Sequence, residues 1–268
     1  MNNNTIGLIA GNGRFPIMFA QETHKQGRKV TAIAIKEETS PELANCVDKI
    51  FWIGVGELKK VLDILIKEQI KEVVMAGQIK AVRLFGGEAK PDSELNYILR
   101  AINTRQPYII FREVSKRLRK LGIRLLASST YLSHLLAKKG VITVIKPTVG
   151  QLEDIKFGKR IAKKVAQLKI GQTVVVSNKV VLAVEAIEGT DQAIKRAGIL
   201  AKEAVVVKAS RPHHDMRFDI PVIGPQTITT MQAADARCLA VEAGKSLLID
   251  RDQTIALADD YGICITAF

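Results

Sequence analysis

The sequence predicts an α/β protein built from two units: an open parallel sheet flanked by helices, followed by a mixed α/β (α+β) unit. Three observations predict it. From Thr5 to Ala76, short apolar runs alternate with glycine turns and segments of helical period. From Gln172 to Ala186, two β-branched runs flank Asn178-Lys179, a hairpin signal that breaks the alternation. The length, 268 residues with 47% hydrophobic and 25% charged, suffices for two cores of ordinary size. Pro147 to Gly150 marks the boundary, giving units 1–147 and 148–268.

Thr5 to Ala10 is an apolar strand, closed by the turn Gly11-Asn12-Gly13, and Pro16 starts a helix ending near Gly27. The order strand, glycine turn, helix resembles a nucleotide-binding opening. The spacing of Gly7, Gly11 and Gly13 is not GxGxxG, however, and the Lys-Ser/Thr of a P-loop is absent. The turn is either an anion-binding backbone nest or a tight structural turn. Lys29 to Ile35 and Val47 to Ile53 are further strands. After Gly56, Leu58, Val61, Leu62, Leu65 and Ile66 share one helix face. Glu72 to Ala76 is a buried strand ended by Gly77-Gln78, which places that pair beside the first glycines at the carboxyl edge of a parallel sheet, where such sheets bind ligands. Helices follow at Ser93 to Thr104, Ile109 to Leu121 and Tyr131 to Lys139, with strands at Ile123 to Ala127 and Val141 to Ile145. His134, among leucines, reads as a packing or surface residue.

In the second unit a helix runs from Gln151 to Leu168 and the hairpin follows. Thr190 is positioned to cap a helix ending at Gly198, with Asp191 in its first turn. A strand at Glu203 to Val207 leads into KASRPHHDMRFDIPVIG, Lys208 to Gly224. Beyond it come helices at Thr227 to Ala236 and Asp252 to Tyr261, and strands at Cys238 to Val241, Ser246 to Ile249 and Ile263 to Thr266.

Composition excludes several classes. No stretch approaches twenty continuous apolar residues, so no span is expected. The start, MNNNTIGLIAG, has no basic leader, and Cys46, Cys238 and Cys264 stand singly; both point to the cytoplasm and away from a disulfide scaffold or zinc centre. The net charge of +13 is uneven. From Arg211 onward there are five basic and eight acidic residues, whereas Lys80 to Arg124 holds eleven basic and four acidic. That block suits phosphates or an anionic lipid surface, or serves only solubility. Aromatics are not interleaved with it, so nucleic acid is not an expected partner.

The chemistry concentrates in Lys208 to Gly224. Pro212 and Pro221 argue against a continuous helix. In an extended chain Asp215, Arg217 and Asp219 share one face, hard oxygens for a divalent cation beside a guanidinium for phosphate, with Lys208 and Arg211 near the same anion. His213 and His214 are adjacent, so only one faces such a site. The plainer reading is a loop whose aspartates cap amides and pair with its arginines.

Taken together the motifs resemble the LpxI family, the UDP-2,3-diacylglucosamine pyrophosphatases of lipid A (lipopolysaccharide) synthesis. The resemblance rests on Gly7-Leu8-Ile9-Ala10-Gly11-Asn12-Gly13 with Pro16, Ala76-Gly77, Gly171-Gln172, and Ala183 to Asp191. It continues through Lys208, Asp215, Arg217, Asp219, Pro221, Ile223-Gly224, Thr227 and Val241-Glu242-Ala243-Gly244, nearly the full length. It implies a Rossmann-like N-terminal domain and an LpxI-type C-terminal catalytic domain. The implied reaction is hydrolysis by a Mg2+ (or Mn2+) enzyme of a UDP-sugar lipid to UMP and 2,3-diacylglucosamine 1-phosphate. It also implies a cytoplasmic protein peripheral at the anionic inner-membrane surface; a homo-oligomer is compatible with it. Residue by residue, it implies Asp219 and Asp215 as metal- or water-positioning carboxylates, with Asp219 favoured. Arg217 and Lys208 contact phosphate, and Glu185, Glu188 and Asp191 are metal ligands or their support. Gly11, Asn12, Gly13, Gly77, Gln78, Thr190 and Thr227 hold nucleotide or sugar. Two departures stand out: Thr104-Arg105-Gln106 replaces a family Gly-Asp-Asp, and His214 replaces a glutamine. They leave a second reading, a diverged protein that binds a phosphorylated ligand without hydrolysing it.

Overall fold

A computed structural model describes residues 4–79, 90–102, 106–210, 215–217 and 220–268. Contacts divide the chain into two compact units. The first comprises Met1–Leu132 and Asp215–Asp219, the second Ser133–His214 and Ile220–Phe268. The break therefore falls at Leu132/Ser133 rather than at the expected 147/148. Part of the charged stretch, expected in the C-terminal unit, packs with the first.

The first unit runs β1 (Thr5–Ala10), α1 (Phe15–Lys25), β2 (Lys29–Ile35), β3 (Lys49–Ile53), α2 (Leu58–Lys67), β4 (Glu72–Ala76), α3 (Ser93–Ile102), α4 (Pro107–Lys120) and β5 (Arg124–Leu125). The sheet has the order β3-β2-β1-β4-β5 and is parallel throughout, the doubly wound order whose direction reverses beside β1. Its central strands are almost wholly buried, as a sheet covered on both faces requires. Ile33, Ile35 and Val73 share a core with Leu58, Val61, Leu62 and Leu65 of α2, Ile98 of α3, and Val114 and Leu118 of α4.

The second unit contains β6 (Gly140–Val141), α5 (Val149–Gln167), β7 (Thr173–Ser177), β8 (Val180–Val184), α6 (Thr190–Leu200), β9 (Ala204–Lys208), β10 (Val222–Ile223), α7 (Pro225–Ala233), β11 (Ala236–Val241), β12 (Leu247–Leu248), α8 (Arg251–Asp260) and β13 (Cys264–Ala267). Its main sheet, β6-β13-β11-β9-β7-β8, is mixed: β9, β11 and β13 are parallel, while β6, β7 and β8 join antiparallel. Strand periodicity sorts the core cleanly. Val174, Val176, Val205 and Val207 face Ile155, Ala162 and Val165 of α5. Val175, Val206, Leu239 and Ile265 face the cluster containing Ile194, Ile228 and Ala258 of α6, α7 and α8. Gly158 lets α5 approach, since a Cβ there would meet Val207 Cγ2 at 2.7 Å. The hairpin turn is as read: Asn178 and Lys179 both have positive φ, 50° and 61°.

Several expectations are corrected, among them the strand Val141 to Ile145, where only Gly140–Val141 forms. Tyr131 to Lys139 is not a helix; only the 3-10 turn Ser133–Leu135 forms. Tyr131 sits at φ 68°, and Ala137 N bonds to Ser246 O, so the backbone bonds a helix would need go elsewhere. Thr190 does not cap α6. Gly189 occupies that place, and Thr190 is the first helical residue.

Candidate functional site

The carboxyl edge of the first sheet is drawn tightly together. Gly11 N donates to Ala76 O at 2.8 Å and Asn12 N to Gln78 O at 2.7 Å, so the two glycine turns are bonded to one another. Neither tolerates a side chain. A Cβ on Gly11 would lie 2.4 Å from Gln78 O, and one on Gly77, whose φ is +86°, would lie 2.5 Å from Asn12 O. Asn12 Nδ2 donates to Glu38 Oε2 at 2.9 Å, and Thr39 Oγ1 donates to Ala10 O at 2.6 Å. Glu38 is only 7% exposed.

Asp215 and Arg217 arrive at this edge from the far end of the chain. Ser128 N donates to Met216 O at 2.7 Å, and Ser128 Oγ lies 2.9 Å from Arg217 O and 2.8 Å from Met75 O of β4, one hydroxyl proton serving both carbonyls. Residues 215–217 form a turn rather than the extended chain that would put Asp215 and Arg217 on one face, and the aspartate caps an amide and pairs with the arginine as in the plainer loop reading. Arg217 folds back on Asp215: Nε donates to Oδ1 at 2.8 Å, Nη2 to Oδ2 at 2.6 Å, and the backbone N to Oδ1 at 3.1 Å. Nη1 reaches Ser115 Oγ of α4 at 2.9 Å. The bond to Asp215 raises the Arg217 pKa further, so the guanidinium is a fixed cation.

Lys208, Thr190, Glu185 and Asp191 meet in the second unit. Lys208 ends β9, 8% exposed, and its Nζ donates to Thr190 Oγ1 at 3.0 Å and Val222 O at 3.3 Å. Thr190 Oγ1 donates to Glu185 Oε1 at 2.9 Å, Thr173 Oγ1 stands 3.3 Å from it, and Gln172 N donates to Glu185 Oε2 at 3.2 Å. Burial pushes the Asp191 carboxyl above its ordinary range; Lys208 and Lys195 oppose the shift and Glu185 adds to it. Glu188 stands outside this group, with Oε1 taken by Arg196 at 3.0 Å. So does Thr227, in the first turn of α7 with its amide bonded to Gly224 O. An open cleft of about 530 Å³ lies next to Glu188 and Arg196, which line it. Val184, Ala186, Lys195 and Ile199 are among its lining residues, and the polar cluster is not.

Asp219, Arg211, His213, His214, Thr104 and Arg105 lie outside the described residues. Among the described residues no three of His, Cys, Asp and Glu converge to hold a cation. Asp215 already accepts three bonds from Arg217 out of roughly four lone-pair positions. The described donors therefore do not by themselves fit a metal centre.

Sequence reasoning missed Ser115, Ser128, Glu38 and Thr173. Ser128 carried a signal, standing just beyond an expected strand at the ligand-binding edge. Ser115, one serine within a basic helix, carried none.

Two family models match, the LpxI N-terminal domain over residues 5–135 and the LpxI C-terminal domain over 138–266. The chain belongs to the LpxI family. It is similar over its length to the UDP-2,3-diacylglucosamine pyrophosphatase LpxI of Caulobacter vibrioides, 28% identical over 272 residues, covering 97% of this chain and 96% of that one. Likeness to solved structures is slight for this LpxI chain. The biotin carboxylase domain of Hydrogenobacter thermophilus 2-oxoglutarate carboxylase aligns at a TM-score of 0.30 and 13% identity, over 72% of this chain and 40% of that one. Campylobacter jejuni biotin carboxylase aligns at 0.29 and 9%, over 73% and 41%. Scores this low bear on neither fold nor function.

Proposed function

We propose that this LpxI-family chain hydrolyses the pyrophosphate of UDP-2,3-diacylglucosamine, giving UMP and 2,3-diacylglucosamine 1-phosphate. The observation that carries the reading is the full-length similarity to a pyrophosphatase of that name; the Asp-x-Arg segment, held at the carboxyl edge of the first sheet, supports it. In the proposed reaction a water oxygen bonds to the α-phosphorus and the bond to the bridging oxygen breaks. The sugar 1-phosphate departs with that oxygen, and the water's proton passes to a carboxylate, for which Asp219 is the choice. Asp215 is engaged with Arg217, so its role is to orient that guanidinium. Arg217 supplies a fixed positive charge for phosphate oxygens, and Lys208 is a second basic group for them. The tight turns at Gly11–Gly13 and Gly77-Gln78, locked to one another, shape the sheet edge against which nucleotide or sugar would rest. A divalent cation remains part of the proposal as a requirement for hydrolysis, with Asp219 its first candidate ligand.

The test is UMP release from UDP-2,3-diacylglucosamine with Mg2+. Asp219→Ala is expected to lose roughly 10²-fold or more in kcat, and chelation to abolish turnover. Unchanged divalent-dependent hydrolysis in Asp219→Ala would overturn the assignment. A wild-type protein that binds the substrate without releasing UMP would favour the binding-protein reading, to which the Thr104-Arg105-Gln106 departure points.

A further inference from the structure

The Val241-Glu242-Ala243-Gly244 motif has no part in the chemistry above, yet Glu242 is one of the most heavily bonded carboxylates among the described residues. It is 9% exposed. Lys163 Nζ of α5 lies 2.6 Å from each of its oxygens, Lys245 Nζ donates to Oε1 at 2.8 Å, and Ser210 N donates to Oε2 at 3.0 Å. Lys163 Nζ also reaches Ser210 O at 3.2 Å. Both backbone groups of Ser210 are thus held by this one ion pair. Burial alone would push the Glu242 carboxyl up; the bonds from Lys163, Lys245 and Ser210 outweigh it and keep the group ionised.

The place matters. The β9 ladder ends at Lys208, which pairs with Val241 on one side and Thr173 on the other, and Ala209 N still bonds to Gln172 O. At Ser210 sheet bonding gives way to Lys163 and Glu242, and five residues further along the chain stands Asp215. The chain returns at Pro221, whose carbonyl accepts from Leu247 N at 2.9 Å, and at Val222, which pairs with β12 and whose carbonyl accepts from Lys208 Nζ. Glu242 opens the connection from β11 to β12 and Leu247 begins β12, so one short stretch holds the chain before Asp215–Arg217 at Ser210 and after it at Pro221. The hydroxyls of Ser210 and Ser246, both fully buried at this connection, find no hydrogen-bond partner among the described residues. A half-buried ion pair contributes little to stability in itself, and a buried hydroxyl without a partner costs some. Their concentration here suits a device that specifies one backbone path.

We propose that Lys163 and Glu242 form a half-buried clamp that fixes where the chain departs toward Asp215 and Arg217, and that Glu242 is a positioning residue for those groups. The kinetic half of this rests on the pyrophosphatase reading; the structural half does not.

The test compares Glu242→Gln, Lys163→Met, the conservative Lys163→Arg and the milder Lys245→Ala in the full chain, first for amide exchange and then for UMP release. In Glu242→Gln and Lys163→Met, exchange at Ser210 and at Met216–Arg217 is expected to rise about tenfold or more while β7 and β11 stay protected. With it kcat falls about tenfold or more and KM stays within about twofold, because bound substrate meets misplaced groups. Lys163→Arg restores both readouts, which a general loss of stability would not reproduce. Should Glu242→Gln fail to fold, Lys245→Ala and Lys163→Met carry the same comparison. Exchange that stays at the wild-type rate in every folded variant overturns the clamp. Raised exchange with unchanged kcat overturns the positioning role. If the wild type releases no UMP, the pyrophosphatase reading falls, and the exchange result still decides the clamp.

Discussion

Among the described residues, Asp191 is a carboxylate whose environment works plainly against its charge. Burial is the largest influence and lifts its folded pKa above the unfolded value. The favourable contribution of such a group is present below about pH 4 and is lost as pH rises through the raised folded value. Asp191→Asn keeps the neutral shape at every pH. It should melt about 2 °C above wild type at pH 7, the gap closing below about pH 4 in thermal unfolding scans. If Asp191 contributes its charge to the site, the same variant also loses turnover, the usual trade at a functional position. At this scale the sequence was half legible. The identities of Asp215, Arg217, Lys208 and Glu185 stood out because charge is rare between apolar runs. Their partners did not, because Ser128 and Ser115 lie 89 and 102 residues from Arg217 along the chain. Local spacing carries no information about such pairings.

Elements were read better than their ends. The strands Lys29–Ile35 and Glu72–Ala76 form over the residues expected, since a buried parallel strand is a continuous apolar run bounded by turn residues. Tyr131 to Lys139 reads as a helix because Leu132, Leu135 and Leu136 repeat at helical period. What the period could not reveal is that Leu136 bridges to Leu247, deep in the later sequence. The Gly171-Gln172 pair before β7 shows an element boundary at work. A Cβ on Gly171 would stand 2.0 Å from Glu185 O, so the residue allows the two ends of the hairpin to close. Gly171→Ala should cost about 1–3 kcal/mol in denaturant unfolding, with the backbone of Glu185 forced outward. Because Glu185 receives both Gln172 N and Thr190 Oγ1, the substitution should also lower activity, whereas a stability of Gly171→Ala equal to wild type would show that the loop yields freely.

For the molecule as a whole, the +13 charge is the property that sequence reports without a structure. On α4, Arg112, Lys116, Arg117, Arg119 and Lys120 line up within nine residues, and Glu113 and Glu94 pair with only part of that charge. Among the described residues no helix is long and apolar enough to cross a membrane. If the chain meets its lipid substrate at an anionic surface, it should sediment with phosphatidylglycerol-containing vesicles at low ionic strength. It should be released as salt shortens the Debye length to about 3 Å near 1 M. Equal recovery with neutral and anionic vesicles would remove charge as the cause. The α/β class and two-unit plan were readable from periodicity. The path by which Asp215–Arg217 leaves one unit to pack with the other was not, because nothing in a linear string marks a segment that changes allegiance.

That path limits how the family's two halves can be inherited. The matching models divide the chain between residues 135 and 138, which suggests two modules open to exchange. Yet Ser115 and Ser128 come from the first module and the Arg217 they hold from the second. A hybrid joined at that seam would bring a foreign Asp-x-Arg turn to serines that never evolved with it. Ser115, Ser128 and Arg217 therefore make one contact set that a join at that seam would divide between two parents.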